Sequence, residues 1–164
     1  MAVLGEDPPE ALVGRLLRQA GMTLALAESC TGGLVAHRIT NVPGSSDYFE
    51  GGIVSYSNEI KERVLGVRQA TLRRYGAVSE QTALEMARGG RRVCRADVAL
   101  ALTGVAGPGG GTPDKPVGLV YVALATPDGE WVERHVWDGD RQGNKERSAE
   151  AALDLLCRYL EGRL

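Results

Sequence analysis

The segment that decides the fold is MTLALAESCTGGLVAHRI, residues 22–39. Its apolar start, 22–26, predicts a buried strand, and 34–39 has the spacing of an amphipathic helix. Ser29 therefore falls where a strand ends and a helix begins, beside N–H groups that lack partners and at the positive end of the helix dipole. A hydroxyl there can attack a carbonyl while nearby amides stabilise the oxyanion. Taken alone, however, Ser29 and Thr31 are more typical of residues that cap a helix.

The composition is that of an ordinary globular protein. A chain of 164 residues is long enough for one domain with a sizeable core, so we expect a single domain over residues 1–164. The formal net charge of −2 gives no general attraction to nucleic acid or to an anionic membrane. The 3 cysteines are widely spaced and predict neither zinc nor disulfides. Segment 1–7 is too short and too acidic for a signal peptide, and no apolar run would span a membrane, so we expect a cytoplasmic protein.

Helical and strand patterns alternate along the chain. Helices are predicted at about 9–20, 34–41, 59–65, 70–75, 79–95 and over the C-terminal segment, and strands at about 22–27, 51–56, 97–103, 117–124 and 130–137. The turn sequence Pro127-Asp128-Gly129 predicts that the last two strands form a hairpin. In the long helix, Gly89 and Gly90 cost about 2 kcal/mol relative to alanine. We predict an α/β fold: a three-layer α-β-α domain with a mixed, mostly parallel sheet of about five strands ending in a β-hairpin.

Residues capable of chemistry follow three of the predicted strands. In open α/β sheets, ligands bind beyond the carboxyl ends of the strands, and Ser29, Tyr56 and Thr103-Gly104 fall there. Asn58 is the expected N-cap of the next helix, which places Lys61 at its third position, facing the positive end of the dipole. Such a lysine is pushed toward the neutral form that a general base needs, although an exposed surface lysine would fit the same position. Ser29, Lys61 and Tyr56 together indicate Ser-Lys type catalysis.

Other catalytic arrangements fit the sequence less well. His37 lies on the helix after Ser29 and points away from it, and His135 belongs to the predicted hairpin. Cys30 is a second candidate nucleophile, but no histidine is placed to generate its thiolate. The loop from Thr103 to Pro116 is not a P-loop, because Lys115 leads through proline into a strand instead of a helix. Its exposed amides, with Lys115 as a countercharge, could still bind phosphate, unless the loop is only a flexible crossover.

Five motifs in order resemble those of the CinA C-terminal-domain family. They are AESCTGG (27–33), YSNEIK (56–61), GAVS (76–79), TGVAGPGGGT (103–112) with KPVG (115–118), and GDR (139–141). The resemblance runs from about residue 8 to the end of the chain. It implies a nicotinamide-nucleotide amidohydrolase, which converts nicotinamide mononucleotide to nicotinic acid mononucleotide and ammonia without a metal or other cofactor.

The resemblance also implies roles for individual residues. Ser29 would form an acyl-enzyme, Lys61 would act as the base, and Tyr56 would help to pass the proton to ammonia. Backbone amides of Thr31, Gly32 and Gly33 would stabilise the oxyanion. The expected substrate-binding residues are Asn58, Thr103, Gly104, Gly107, Gly109, Thr112, Lys115 and Arg141, of which the loop residues and Arg141 would hold the 5′-phosphate.

Two departures from the family pattern affect these expectations. Many relatives carry an arginine shortly after GDR, where this chain has Asn144-Lys145. A lysine can attract a phosphate but cannot form the two parallel hydrogen bonds that an arginine forms. Long relatives also carry an extra N-terminal domain, and this sequence begins directly at the amidase-like part. The expected partner is a small pyridine nucleotide, with a homodimer as the expected assembly and neither nucleic acid nor a membrane. The alternative function is a non-catalytic interaction module linked to competence and recombination, or a nucleotide sensor.

Overall fold

The computed structural model describes residues 7–164 and confirms the predicted α/β architecture. The helices are α1 Pro9–Ala20, α2 Leu34–Thr40, α3 Asn58–Arg63, α4 Gln69–Tyr75, α5 Glu80–Cys94 and α6 Arg141–Leu160. The strands are β1 Leu24–Glu28, β2 Phe49–Val54, β3 Val98–Gly104, β4 Leu119–Ala125 and β5 Glu130–Val136. Most of the acidic segment considered for a signal peptide, residues 1–6, lies outside the described residues. Within 7–164, no helix is both long and apolar enough to cross a membrane.

The sheet has the order β2-β1-β3-β4-β5 and ends in the predicted hairpin. Strand β1 pairs in parallel with both β2 and β3, whereas β4 runs antiparallel to β3 and to β5. Near the start of β2, the pairing shifts from Leu24 opposite Phe49 to Ala25 opposite Gly51, so that Glu50 is an extra residue in the ladder. The carboxyl ends of β1, β2 and β3 consequently meet at one edge of the sheet, as the sequence predicts.

The two faces of the sheet differ in the size of their side chains, as the alternation in LALA and VALAL predicts. On one face, the large residues of β1, β3 and β4 pack against α1, α2 and α6. On the other face, alanines of the same strands, among them Ala27, Ala101 and Ala123, pack against α5. The small side chains on this face allow α5 to approach the sheet closely.

Close packing explains why a glycine stands at position 89 of α5, but not at position 90. The helix α5 is continuous through both residues. A Cβ atom at Gly89 would lie 2.0 Å from the carbonyl oxygen of Leu65, so no side chain fits there. At Gly90, a Cβ atom would lie 3.4 Å from the Cβ of Ala27, which is ordinary contact. Gly89 therefore marks the point where α5 meets the segment after α3, whereas Gly90 faces the sheet.

These distances predict opposite effects for two alanine substitutions one residue apart. Gly89→Ala should lower the free energy of unfolding by about 1–3 kcal/mol, because the added methyl group overlaps a backbone oxygen. Gly90→Ala should raise it by up to about 1 kcal/mol, because alanine has the higher helix propensity and the site has room. Urea denaturation of both variants measures the difference. Equal effects of the two substitutions would contradict the packing explanation.

Candidate active site

Ser29 lies directly after β1, at the start of a tight turn that leads into α2. Its side chain is buried, with a relative exposure of 7%. The turn is closed by a hydrogen bond of 3.0 Å from the Gly32 N–H to the Ser29 carbonyl oxygen. Gly32 and Gly33 have φ angles of 62° and 100°, which residues with a side chain rarely adopt. The two glycines in the motif are therefore required by the backbone of this turn.

Lys61 is buried in α3, contrary to the surface-lysine alternative, with a relative exposure of 1%. The expected N-cap of this helix was wrong: Ser57 caps it, since its Oγ accepts a hydrogen bond from Ile60 N at 3.2 Å, and Asn58 is the first helical residue. Both residue types favour the N-cap, and the shift makes Lys61 the fourth helical residue instead of the third. Lys61 Nζ lies 2.9 Å from Ser29 Oγ.

Burial lowers the pKa of Lys61 to about 8. The direction agrees with the sequence-based expectation, but the main cause is loss of hydration and not the helix dipole. Nζ also donates to the carbonyl oxygen of Ser55 at 2.6 Å and, at 3.5 Å, to that of Tyr56. A neutral amine has two N–H bonds and one lone pair. With the N–H bonds directed to these carbonyls, the lone pair is left for the hydroxyl proton of Ser29.

Tyr56 lies at the rim of the site, where its side chain is 63% exposed. Its hydroxyl accepts a hydrogen bond of 3.2 Å from Arg141 Nη2, and Arg141 Nη1 donates to the Gly107 carbonyl oxygen at 2.7 Å. Three sequence-predicted residues from distant parts of the chain thus meet at the mouth of the site.

A cavity of about 240 Å³ opens between these groups. Residues predicted for the site that line it are Ser29, Tyr56, Asn58, Lys61, Thr103, Gly104, Gly107, Gly109 and Arg141. Ala77 and Val78 of the GAVS motif form part of its wall, and Thr103 Oγ1 holds them in place by donating to the Ala77 carbonyl oxygen at 2.7 Å.

Two predicted binding residues do not line this cavity. Thr112 Oγ1 accepts a hydrogen bond from Lys115 N at 3.0 Å, within the glycine-rich loop. Lys115 Nζ donates to the carbonyl oxygen of Tyr75 at the end of α4. In this arrangement, Thr112 and Lys115 shape the loop and attach it to α4.

Comparison with known proteins assigns the family. The CinA C-terminal domain family matches residues 6–160. The chain belongs to this family. A CinA-like protein of Geobacter sulfurreducens is 54% identical over 156 residues, which are 95% of this chain and 38% of that protein. The chain thus spans about 38% of the length of the first curated relatives that it matches.

Solved structures of family members have the same fold. The competence/damage inducible protein CihA from Agrobacterium tumefaciens has a TM-score of 0.87 and 40% identity, with 98% of this chain and 99% of that chain covered. The competence damage-inducible protein A from Klebsiella pneumoniae has a TM-score of 0.90 and 35% identity, with 93% and 95% covered. The five motifs quoted from the sequence therefore belong to a CinA C-terminal domain.

The turn of this CinA domain also presents free backbone donors. The N–H groups of Thr31 and Gly33 have no hydrogen-bond acceptor among residues 7–164. The N–H of Gly32 differs, because it is engaged by the Ser29 carbonyl oxygen. Of the three residues whose amides are expected to stabilise an oxyanion, two therefore keep an unpaired N–H, but none of the three is among the residues that line the cavity.

Cys30, the alternative nucleophile, also lines the cavity, but its thiol is not activated, and the alternative bases lie elsewhere. Burial raises the pKa of the Cys30 thiol to about 11, so that it is protonated at neutral pH. His37 lies on α2 with its Nε2 3.3 Å from Asn41 Nδ2, and His135 Nε2 lies 3.2 Å from Glu133 Oε2 on β5. Neither histidine lines the cavity.

Two polar residues support the site in ways that sequence analysis did not predict: Asn144, which it considered only as a replacement for an arginine near the phosphate, and Ser55. Asn144 is buried in α6, where Nδ2 donates to the Ala106 carbonyl oxygen and Oδ1 accepts from Gly139 N, both at 3.0 Å. It therefore attaches the glycine-rich loop to α6. Ser55 supplies the carbonyl oxygen that orients Lys61. A buried asparagine has no sequence signature, and a carbonyl acceptor has none either, because every residue carries one.

Proposed function

We propose that this CinA C-terminal domain hydrolyses the carboxamide of nicotinamide mononucleotide to nicotinic acid mononucleotide and ammonia. The observation that carries the proposal is the buried contact of 2.9 Å between Ser29 Oγ and Lys61 Nζ. A serine hydroxyl beside a desolvated amine is an activated nucleophile, and a module that only binds other proteins has no need of it. Members of the family are associated with nicotinamide mononucleotide amidohydrolase activity, which supports the choice of substrate.

The proposed reaction begins with a proton transfer from Ser29 Oγ to neutral Lys61. The oxygen attacks the carboxamide carbon, and the resulting oxyanion accepts hydrogen bonds from the free N–H groups of Thr31 and Gly33. Protonated Lys61 then gives its proton to the departing nitrogen, which leaves as ammonia and produces an acyl-enzyme. A water molecule, deprotonated by Lys61, hydrolyses the ester and restores Ser29.

The dimensions and charges of the site suit this substrate. A cavity of about 240 Å³ can hold a pyridine ring with its carboxamide but leaves little room for a larger base. The ribose phosphate would extend to the mouth, where the Arg141 guanidinium is exposed. Lys145 Nζ lies close to the turn, 3.8 Å from the position that a Cβ atom of Gly32 would take, and is a second cation for the phosphate. In this proposal Tyr56 assists proton transfer from the rim, where its hydroxyl accepts a hydrogen bond from Arg141.

Ammonia release from nicotinamide mononucleotide by the purified protein tests the proposal. We expect turnover with the mononucleotide and much slower turnover with nicotinamide, which lacks the phosphate. Nicotinic acid mononucleotide, which has no carboxamide, serves as the substrate blank. Binding of the mononucleotide without ammonia release would contradict hydrolysis and favour a nucleotide sensor, and absence of both would favour an interaction module.

The rate should depend on pH through Lys61. Because the base must be neutral and its pKa is about 8, kcat/KM should rise about tenfold per pH unit below 8 and level off above it. Initial rates between pH 6 and 10 measure this profile. Tyr56→Phe separates the two candidate bases: if Lys61 is the base, the variant keeps the inflection near pH 8 whatever its rate. Loss of the inflection in Tyr56→Phe would assign the titration to the phenol.

A further inference from the structure

Glu28 is the last residue of β1 and carries a buried carboxylate, with a relative exposure of 1%. Its Oε1 accepts hydrogen bonds from Thr31 Oγ1 at 2.7 Å and from Val35 N at 3.0 Å, and its Oε2 accepts one from Ala36 N at 3.0 Å. All three donors belong to the segment that follows Ser29. Among residues 7–164, no lysine, arginine or histidine forms a salt bridge with Glu28.

The burial of this charge needs a reason. A buried carboxylate without an ion-pair partner is costly unless hydrogen bonds replace its hydration. Here the hydrogen bonds come from one hydroxyl in the turn and from two backbone amides in the first turn of α2. The carboxylate therefore connects the end of β1 to the turn and to the start of α2. A neutral, smaller side chain at position 28 would leave these three donors without an acceptor.

The backbone of Glu28 connects the same turn to Lys61. Its carbonyl oxygen accepts hydrogen bonds from Ser55 N at 2.8 Å and Ser55 Oγ at 3.4 Å. The Ser55 carbonyl oxygen in turn accepts from Lys61 Nζ at 2.6 Å. The side chain of Glu28 thus binds the turn that follows Ser29. Its backbone carbonyl binds Ser55, whose own carbonyl oxygen accepts a hydrogen bond from Lys61.

We infer that Glu28 is a positioning residue, whose carboxylate fixes the turn so that Ser29 Oγ stays within hydrogen-bonding distance of Lys61. The inference rests on the proposed function in that Ser29 is taken as the nucleophile. It does not depend on which carboxamide is hydrolysed. A displacement of about 1 Å between reacting groups lowers rates by about 100-fold, so loss of this support should appear in the reactivity of Ser29 itself.

Glu85 provides a matched control. It is also a buried carboxylate, and it also accepts hydrogen bonds from a backbone amide and a threonine hydroxyl, Arg68 N at 3.0 Å and Thr71 Oγ1 at 2.9 Å. It lies on α5, joins that helix to α4, and does not line the cavity. Glu28→Gln and Glu85→Gln therefore make the same chemical change at two buried, hydrogen-bonded carboxylates, one beside Ser29 and one away from it. Glu85 differs in that it also forms an ion pair with Arg68 Nε at 2.6 Å.

The experiment measures labelling of Ser29 by a fluorophosphonate probe, followed by intact mass, with Ser29→Ala as the blank. Labelling needs a reactive hydroxyl but no nucleotide. We expect Glu28→Gln to lower both the labelling rate and kcat for nicotinamide mononucleotide by about tenfold or more, with KM changed less than threefold. Glu85→Gln should leave both rates within about twofold of the wild type, even where it lowers Tm by a similar amount.

Each outcome of the experiment decides the role of Glu28. Labelling of Glu28→Gln at the wild-type rate would make Glu28 a helix cap only and overturn the inference. Slower labelling in a protein that releases no ammonia from the mononucleotide would support the inference and refute the proposed function. A wild-type protein that the probe does not label would overturn both. If Glu28→Gln does not fold, Thr31→Val removes a donor to the same carboxylate, and labelling of that variant at the wild-type rate overturns the inference.

Discussion

Replacing Ser29 by alanine is expected to abolish ammonia release from nicotinamide mononucleotide, with kcat lowered by about 10⁴-fold or more. Removal of a nucleophile leaves only the contribution of binding and of the oxyanion donors. Affinity for the nucleotide should change little, because the cavity wall and the exposed Arg141 remain. Isothermal titration calorimetry measures the affinity, and an ammonia assay measures turnover.

A comparison with Ser45 makes this test specific. Ser45 is a buried serine in the 3₁₀ turn before β2, and it does not line the cavity. Ser45→Ala should therefore retain the wild-type rate. In the wild-type protein, rapid quenching during turnover should reveal the acyl adduct on the peptide containing Ser29. Retention of substantial activity in Ser29→Ala would exclude the acyl-enzyme mechanism.

The second large effect is expected at Lys61. Lys61→Met keeps an unbranched side chain of similar length in the buried position but removes the amine, and it should lower kcat/KM by about 10²–10⁴-fold. Lys61→Arg should fail as well, since a guanidinium stays protonated over the whole accessible pH range. Both variants should lose the pH inflection near 8. Steady-state kinetics between pH 6 and 10 measure these changes.

Chemical rescue distinguishes a catalytic lysine from a structural one. In Lys61→Ala, the truncated side chain leaves space beside Ser29 Oγ, and a small primary amine in the buffer should restore part of the rate. The rescue should increase with the concentration of the neutral amine and not with that of its protonated form. A Lys61→Met variant that keeps more than a tenth of the wild-type rate would indicate another base, for which Tyr56 is the nearest candidate at the mouth.

Several features of this site could be read directly from the sequence. The strand β1 and its large-small alternation are local patterns, and parallel strands bring their carboxyl ends together whatever the details of the loops. That was enough to predict that Ser29 and Lys61 meet. The burial of Lys61 was not predictable, because it depends on how the short helix α3 sits beneath the turn. For the same reason, the sequence predicted that the helix dipole lowers the pKa of Lys61, whereas the main cause in the structure is desolvation.

Other features escaped prediction for a different physical reason. Glu28 and Asn144 are polar residues next to apolar runs, and only their tertiary contacts distinguish them from surface residues. Lys115 followed a pattern typical of a phosphate ligand, yet its amine reaches the end of α4 instead of the cavity. Helix propensity depends on the local sequence alone, and on that basis Gly89 and Gly90 count as a cost to α5. The contact between Gly89 and Leu65 is a tertiary contact, which the local sequence does not reveal.

The extra residue in β2 has a consequence for the chemistry at the opposite end of the strand. Because Glu50 is skipped in the ladder, Glu28 comes to lie beside Val54, and the residues that follow each of them emerge side by side. If the pairing continued without the extra residue, Glu28 would pair with Ile53 instead of Val54. The residues after β2, including Lys61, would then be displaced along the strand direction by about 3.3 Å relative to Ser29. The alignment of Ser29 and Lys61 is thus set about four residues upstream, near the start of the two strands. An insertion or deletion there would change the distance between the hydroxyl and the amine although it lies away from both.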